Sequence, residues 1–129
     1  MVLLVAGSRD YCDYDEFKQV MDYTHNKYHI DKIVSGGARG ADSLAERYAK
    51  ENNIPIKVFP ARWSVYGKTA GFIRNADMHN YLSLYGDRMC LCFWDGRSRS
   101  TAQNFKLCKK NNTKLVCYNF KLHKVMEGL

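Results

Sequence analysis

The sequence lacks long apolar segments, internal repeats and low-complexity linkers. No apolar run approaches the roughly 20 residues that a membrane-spanning helix needs, so we expect no membrane association. Because there is no linker, all 129 residues are predicted to form a single domain, large enough to bury a core without disulfides or metal. Residues 1–6 carry no basic leader and resemble a strand instead of a signal peptide, so we expect a cytoplasmic protein.

Sequence motifs for metal binding are also missing. The five cysteines include no CxxC pair, and the four histidines form no HExxH motif. Cys90 and Cys92 alternate along a predicted strand and point to one face, which suits a core better than a zinc knuckle. His25 and His29 are four residues apart on a predicted helix and are able to share a metal, but a solvated helix face is the preferred interpretation. We therefore expect reduced, buried thiols, no metal site and no cofactor.

The positive charge is concentrated in arginines that fall in or near predicted loops. The formal net charge is +7. Six of the eight arginines lie in loops or at helix starts: Arg9, Arg39, Arg62, Arg74, Arg97 and Arg99. Arginine in loops favours a bidentate grip on a small phosphorylated ligand. The overall basic charge leaves nucleic-acid binding through the phosphate backbone as the second interpretation.

Predicted strands and helices alternate along the chain. The strands are predicted at residues 2–6, 32–34, 54–59, 89–94 and 115–118, and the helices at about 13–28, 43–50, 70–84 and 100–110. Repeated strand–helix units predict an α/β fold, Rossmann-like, with a five-stranded, mainly parallel sheet and helices on both faces. The tail from residue 121 is too short to assign.

Four polar loops each follow a predicted strand, and together they predict one ligand site. They comprise residues 7–10, 36–42, 61–75 and 95–101, and each contains a glycine or an arginine. Because parallel strands end at the same edge of a sheet, these loops are expected to meet where the strand order reverses. The loops at the opposite edge carry nothing comparable.

The loop at residues 36–42 has the composition of an anion site. Its three glycines join a strand directly to a helix, so the backbone can approach a ligand at the positive end of the helix dipole. An ordinary tight turn also favours glycine and remains the alternative. Arg39 within the turn favours the anion site.

Four motifs in order resemble one protein family. They are Gly-Ser-Arg after the first strand, Gly-Gly-Ala-Arg-Gly-Ala-Asp after the second, Phe-Pro-Ala-x-Trp with Tyr-Gly-Lys-x-Ala-Gly-x-Ile-Arg-Asn, and Phe-Trp-Asp-Gly-x-Ser-x-x-Thr. Over residues 2–118 the chain resembles the small YspA-like branch of the SLOG superfamily. That superfamily includes the LOG-type nucleoside monophosphate hydrolases, which cleave the bond between base and ribose 5-phosphate, and the DprA/Smf DNA-processing proteins. The resemblance implies a Rossmann-like fold and a pocket for a nucleotide or nucleotide-derived ligand.

The resemblance assigns ligand-binding roles to residues of all four motifs. The assigned residues are Gly7, Ser8, Arg9, Gly36, Gly37, Ala38, Arg39, Gly40, Asp42, Trp63, Tyr66, Lys68, Arg74, Asn75, Asp95, Gly96, Ser98 and Thr101. Arg39 and the loop amides are expected to contact phosphate, and Arg74 to hold phosphate or developing negative charge. Asp42 either contacts the ligand or caps its helix. Trp63 and Tyr66 are candidates for stacking on a base, with a core position as the alternative for Trp63.

Two departures from the LOG pattern leave the activity open. Asn104 stands where LOG-type enzymes have a catalytic glutamate, and an amide cannot protonate a leaving base. Ser100 stands where the family usually has glycine. Arg74 and Asp95 are the candidate catalytic residues. The acid or base of a hydrolase would come from one of four aspartates: Asp10, Asp42, Asp77 or Asp95.

Three functions therefore remain: a sensor or sequestering protein for a nucleotide-derived ligand, an N-glycosidic hydrolase of nucleoside monophosphates, and, as the alternative, a DprA-like nucleic-acid-binding protein. The resemblance also makes a homo-oligomer, preferably a dimer, an expectation, with the helix at residues 70–84 as the candidate contact.

Overall fold

Strands and helices alternate in the computed structural model, which describes residues 1–126. The strands are β1 (Val2–Gly7), β2 (Lys32–Ser35), β3 (Ile56–Val58), β4 (Arg88–Trp94), β5 (Lys114–Asn119) and β6 (Lys124–Met126). The helices are α1 (Tyr14–Tyr28), α2 (Ala41–Glu51), α3 (Trp63–Tyr66), α4 (Ala70–Leu82) and α5 (Arg99–Asn111), and a 3₁₀ turn at Gly67–Thr69 joins α3 to α4.

The strands form one sheet in the order β3-β2-β1-β4-β5-β6. The pairs among β1 to β5 are parallel, and β6 is antiparallel to β5. The predicted Rossmann-like α/β fold is thus confirmed, but the predicted five strands are wrong because residues 1–126 contain six. The sixth forms because Asn119 Oδ1 accepts hydrogen bonds from the backbone N–H groups of Lys121 and Leu122, which close a tight turn after β5. Three residues of strand are too few to show an alternating pattern.

The apolar residues of β1 are buried on both faces of the sheet. Leu3 and Val5 pack in a cluster with α1 and α2, and Leu4 packs on the other face in a cluster with α4 and α5. A strand that is covered on both sides reads as a continuous apolar run, which is what residues 2–6 show. Phe17, on α1, is fully buried beneath the first of these faces.

Short polar residues lie at the ends of the helices. Asp13 caps α1 by accepting a hydrogen bond from the Glu16 N–H at 3.1 Å. Asn112 closes α5 in the left-handed region, with φ of 53°, and Asn53 after α2 has the same φ. These positions tolerate positive φ because asparagine does so more readily than most residues.

The predicted loop at residues 61–75 is helical over most of its length. Helix α3 begins at Trp63, and α4 begins at Ala70 and ends at Leu82, not 84. Gly67, with φ of 59°, separates the two helices, and this interruption hid the helical period in the sequence. Trp63 packs beside Gly71 but remains 48% exposed, so the core alternative for this side chain is wrong.

The strand order reverses between β1 and β4, and this places their carboxyl ends side by side. The chain moves outward from β1 to β2 and β3, and then returns through α4 to β4 on the other side of β1. The Ser8 N–H donates to the Phe93 carbonyl at 3.0 Å and extends the β1–β4 ladder into the following loop. None of the helices within residues 1–126 combines the length and apolar character needed to cross a membrane.

Candidate ligand-binding cleft

A cleft of about 380 Å³ opens at the carboxyl ends of β1 and β4. The loops after β1, β2 and β4 meet there with the buried side of α4 and the start of α5. Its lining consists of Ala6, Gly7, Ser8, Arg9, Asp10, Ala38, Arg39, Asp42, Arg74, Asn75, Met78, Asp95, Ser98, Ser100, Thr101 and Asn104. The site therefore lies at the strand-order reversal, where ligands bind in open α/β sheets.

A second cleft of about 370 Å³ adjoins the first and shares three arginines with it, Arg9, Arg39 and Arg74. Gly36, Gly37 and the exposed Trp63 ring line this second cleft. The Arg9 guanidinium lies over the Trp63 ring, 5.4 Å from its centroid, which is a cation–π contact. The two clefts together thus offer a cationic part and an aromatic part.

Four of the residues predicted for the site lie elsewhere. Tyr66 lines a third, more apolar cleft of about 280 Å³. Gly40, Lys68 and Gly96 line none of these three clefts. Gly40 instead allows the loops after β1 and β2 to touch, because a Cβ there would lie 2.3 Å from the Ser8 carbonyl oxygen.

Gly36 makes room for the charged floor of the site. A Cβ at this position would lie 2.6 Å from Arg74 Nη1 and 2.9 Å from Asp42 Oδ2. The glycine carbonyl also accepts a hydrogen bond from Arg74 Nη1 at 2.6 Å. Glycine is therefore needed at this position to leave room for the Arg74 and Asp42 side chains, in addition to any room that a ligand requires.

Arg74 is buried in the floor of the cleft and fixed in place. Its Nε donates to Asn75 Oδ1 at 2.9 Å, and Nη1 is held by Gly36. Burial lowers the pKa of Arg74, Asp42 opposes this effect and Arg9 adds to it. The group is still a cation at neutral pH, since arginine does not deprotonate in proteins. The structure thus holds a partly desolvated guanidinium against the cleft.

Asp42 is also buried beside this arginine. Its Oδ2 accepts a hydrogen bond from the Ala38 N–H at 3.2 Å. Gly40 occupies the N-cap position of α2 and Asp42 lies inside the first turn, so the cap alternative is wrong. Burial raises the pKa of Asp42 to about 6, although the Ala38 hydrogen bond and Arg74 act in the opposite direction. A carboxyl group that titrates near neutral pH in a cleft is a candidate acid or base.

Several amides of the glycine loop are engaged within the protein. The Gly37 N–H donates to Ser35 Oγ at 3.3 Å, and the Ala41 N–H donates to the Ser8 carbonyl at 3.3 Å. The Ala38 N–H likewise donates to Asp42 Oδ2. In this conformation the three arginines offer more free donors to an anion than these amides do.

Ser8 lines the cleft and carries a buried hydroxyl group without a hydrogen-bond partner in the described part of the chain. It is 4% exposed, and its Oγ is one of two buried side-chain polar atoms in residues 1–126 without a hydrogen-bond partner. Leaving a buried hydroxyl unpaired costs roughly 1–3 kcal/mol. A ligand that reaches the cleft floor would remove this penalty.

Asp95 is committed to the turn that precedes α5. Its Oδ1 accepts hydrogen bonds from the backbone N–H groups of Arg97 and Ser98, each at 2.8 Å. Burial raises its pKa, but these two hydrogen bonds prevail and the pKa is lowered overall. Ser98 in turn caps α5 by accepting from the Thr101 N–H. This geometry makes Asp95 a weaker acid–base candidate than Asp42.

Asn104 is fully buried and uses its whole side chain to bind other protein groups. Its Nδ2 donates to the Ser100 and Thr101 carbonyls, at 3.3 and 3.2 Å, and its Oδ1 accepts from His79 Nε2 at 2.8 Å. Asn104, which the motif comparison aligns with the LOG glutamate, therefore links α5 to α4.

Sequence reasoning did not find two apolar wall residues, Ala6 and Met78. Both belong to buried faces of regular elements, and nothing in their residue type distinguishes a cleft wall from a core position. The sequence predicts no metal site. Among the described residues one set of metal-type donors does converge, His79 with Cys90 and Cys108, and it lies in the core outside the cleft lining.

Known proteins match this chain over most of its length. Residues 1–66 match the family described as YspA, cpYpsA-related SLOG family. The chain is 30% identical over 125 residues to the Gene 61 protein of Mycobacterium phage D29, and the alignment covers 92% of this chain and 97% of that protein. No solved structure matches the chain significantly. The resemblance drawn from the four motifs is thereby confirmed, and the chain belongs to the YspA, cpYpsA-related SLOG family.

Proposed function

We propose that the paired clefts bind a nucleotide or a nucleotide-derived phosphorylated ligand. The observation that carries the proposal is that Arg9, Arg39 and Arg74 line the same two adjoining clefts. Arg74 lies buried in the floor, whereas Arg9 and Arg39 are exposed at its rim. A guanidinium binds phosphate through paired hydrogen bonds, and partial burial strengthens that attraction.

The second cleft supports a nucleoside as the remainder of the ligand. The Trp63 ring is exposed beside the arginines, and an indole face can stack on a base. In this arrangement phosphate contacts Arg74 and the free Ser8 hydroxyl, while the base lies against Trp63. Such a ligand needs an anionic and an aromatic part only a few ångströms apart, which a nucleotide has.

Binding is favoured over hydrolysis of the LOG type. Asn104 cannot transfer a proton, and its amide is already hydrogen-bonded on both atoms. Hydrolysis by another route is the second candidate, and Asp42 is the observation that favours it, because its pKa of about 6 allows proton exchange near neutral pH.

Calorimetric titration with AMP and ADP-ribose, with adenosine as the control for the phosphate, tests the proposal. Replacing Arg74 with Gln should weaken binding of AMP about 10- to 100-fold, which corresponds to the roughly 1.5–3 kcal/mol of a hydrogen bond to a charged group. The matched control is Arg47→Gln on α2, which removes one exposed arginine that lines none of the three clefts. Equal affinities for AMP and adenosine, or equal losses in the two variants, would contradict the proposal.

Two further readouts separate the other functions. Free adenine released from AMP, measured by chromatography, would establish hydrolysis, and Asp42→Asn should then abolish it. Fluorescence anisotropy with single-stranded oligonucleotides of increasing length tests nucleic-acid binding. Affinity that rises with length and falls steeply with salt would favour the DprA-like alternative over a nucleotide cleft.

A further inference from the structure

Three metal-type donors converge in the core between the sheet and helices α4 and α5. A ring nitrogen of His79 and the Sγ atoms of Cys90 and Cys108 all lie within 4.8 Å of one another. They come from α4, β4 and α5, and each is no more than 2% exposed. Because three separate packed elements carry them, the fold itself brings these donors together.

The hydrogen bonds of His79 fix which nitrogen is free. Both Asn104 Nδ2 hydrogens face the Ser100 and Thr101 carbonyls, so Asn104 can only accept from the imidazole through Oδ1. The proton of neutral His79 therefore resides on Nε2, and Nδ1 carries a lone pair. Nδ1 is buried and has no hydrogen-bond partner within residues 1–126.

A metal-ligating histidine has the same arrangement. Such a histidine donates its other ring N–H to a carboxylate or carbonyl oxygen, which orients the ring and sets the tautomer. Asn104 supplies that oxygen to His79. A buried lone pair without a donor is otherwise a penalty of roughly 1–3 kcal/mol, which a bound cation would remove.

The spacing of the sulfur atoms fits a tetrahedral metal. Bonds of about 2.3 Å to zinc place two thiolate sulfurs about 3.8 Å apart. Cys92 Sγ lies 3.7 Å from Cys90 Sγ but does not belong to the converging set. The His79, Cys90 and Cys108 donors need to approach each other by at most about 1 Å.

We propose that His79, Cys90 and Cys108, with water as the fourth ligand, form a buried site for a thiophilic divalent metal ion, zinc being the best match. Thiolate and imidazole ligands select such ions over magnesium or calcium, which require oxygen. Two thiolates with a neutral imidazole cancel the charge of Zn²⁺, as an apolar interior requires. Binding releases two thiol protons to solvent for each ion taken up.

The reduced wild-type protein tests the proposal when it is incubated with Zn²⁺ or Co²⁺ and then desalted. We expect one Zn²⁺ per chain by elemental analysis, and with Co²⁺ the intense visible bands of a tetrahedral ion together with a thiolate charge-transfer band. An octahedral Co²⁺ spectrum, or substantially less than one ion per chain, would overturn the proposal without any need for a variant.

Variants then test the ligand set. Cys108→Ala should lower the zinc affinity at least 100-fold. The matched control is Cys117→Ala, a buried cysteine of the same core that is not among the converging donors, and it should retain the wild-type affinity. Asn104→Ala should weaken binding about 10- to 100-fold through loss of the support to His79. Equal affinities of the Cys108 and Cys117 variants would overturn the assignment.

Discussion

Replacing Asp42 with asparagine should make the free energy of unfolding less dependent on pH. In the folded protein burial raises the pKa of Asp42 to about 6, whereas its ordinary value is 3.8. At 1.36 kcal/mol per pKa unit, this difference corresponds to about 3 kcal/mol. The side chain is 6% exposed, so little of this figure is lost to screening by solvent.

The direction of the effect follows from which state holds the proton. Below about pH 4 Asp42 is protonated in both the folded and the unfolded state, so its ionisation does not change the free energy of unfolding. Between about pH 4 and pH 6 the unfolded chain loses the proton first, so the wild type becomes less stable as the pH rises. Above about pH 6 the full penalty of about 3 kcal/mol is present, and Asp42→Asn escapes it.

Urea denaturation of the two proteins between pH 4 and pH 8 measures the effect. The variant minus wild-type difference should increase by about 3 kcal/mol across this range and level off above the folded pKa. Asp10→Asn, which removes an exposed carboxylate from the same cleft, controls for the change of charge near the arginines. A difference that is constant with pH, or that shrinks as the pH rises, would refute the reasoning.

Three further changes have expected outcomes of their own. Gly36→Ala should displace the Arg74 guanidinium and weaken AMP binding at least tenfold by calorimetry, whereas stability should change less than binding. Glu16→Gln should lower the free energy of unfolding by about 1–2 kcal/mol at pH 7, measured by urea denaturation, because the carboxylate accepts hydrogen bonds from Tyr118 and two other side chains. Despite burial these hydrogen bonds lower the pKa of Glu16, so the stability loss should fade as the pH falls below 4.5. Phe17→Ala should cost about 3–5 kcal/mol in the same assay, because a fully buried ring leaves a cavity.

The sequence predicted the fold correctly where a residue or pattern has a single structural preference. The apolar run of β1 predicts a strand covered on both faces, and Asp13 and Asn112 mark helix ends through their own hydrogen bonding and backbone preferences. Prediction failed at residues 63–69, where Gly67 separates a short helix from α4, and at β6, which depends on a turn formed by Asn119.

The sequence predicted which loops form the site, but it did not predict the contacts between their side chains. Glycines and arginines after the strands pointed to one edge of the sheet, and most of them line the two clefts there. The sequence does not show that Gly36 leaves room for the Arg74 guanidinium. It also does not show that Asp42 is buried enough for its pKa to lie near neutral pH. These properties depend on distances between loops that are far apart in the chain.

Asn104 shows why the position of a motif residue does not carry the function of its relatives. A glutamate at this position would accept from His79 Nε2–H, but it would place a carboxylate oxygen against the Ser100 and Thr101 carbonyls, which need a donor. The asparagine matches all three neighbours because it both donates and accepts. The Asn104 side chain accepts from His79 Nε2 and orients the ring. A single side chain therefore offers no proton to transfer and at the same time orients a buried imidazole.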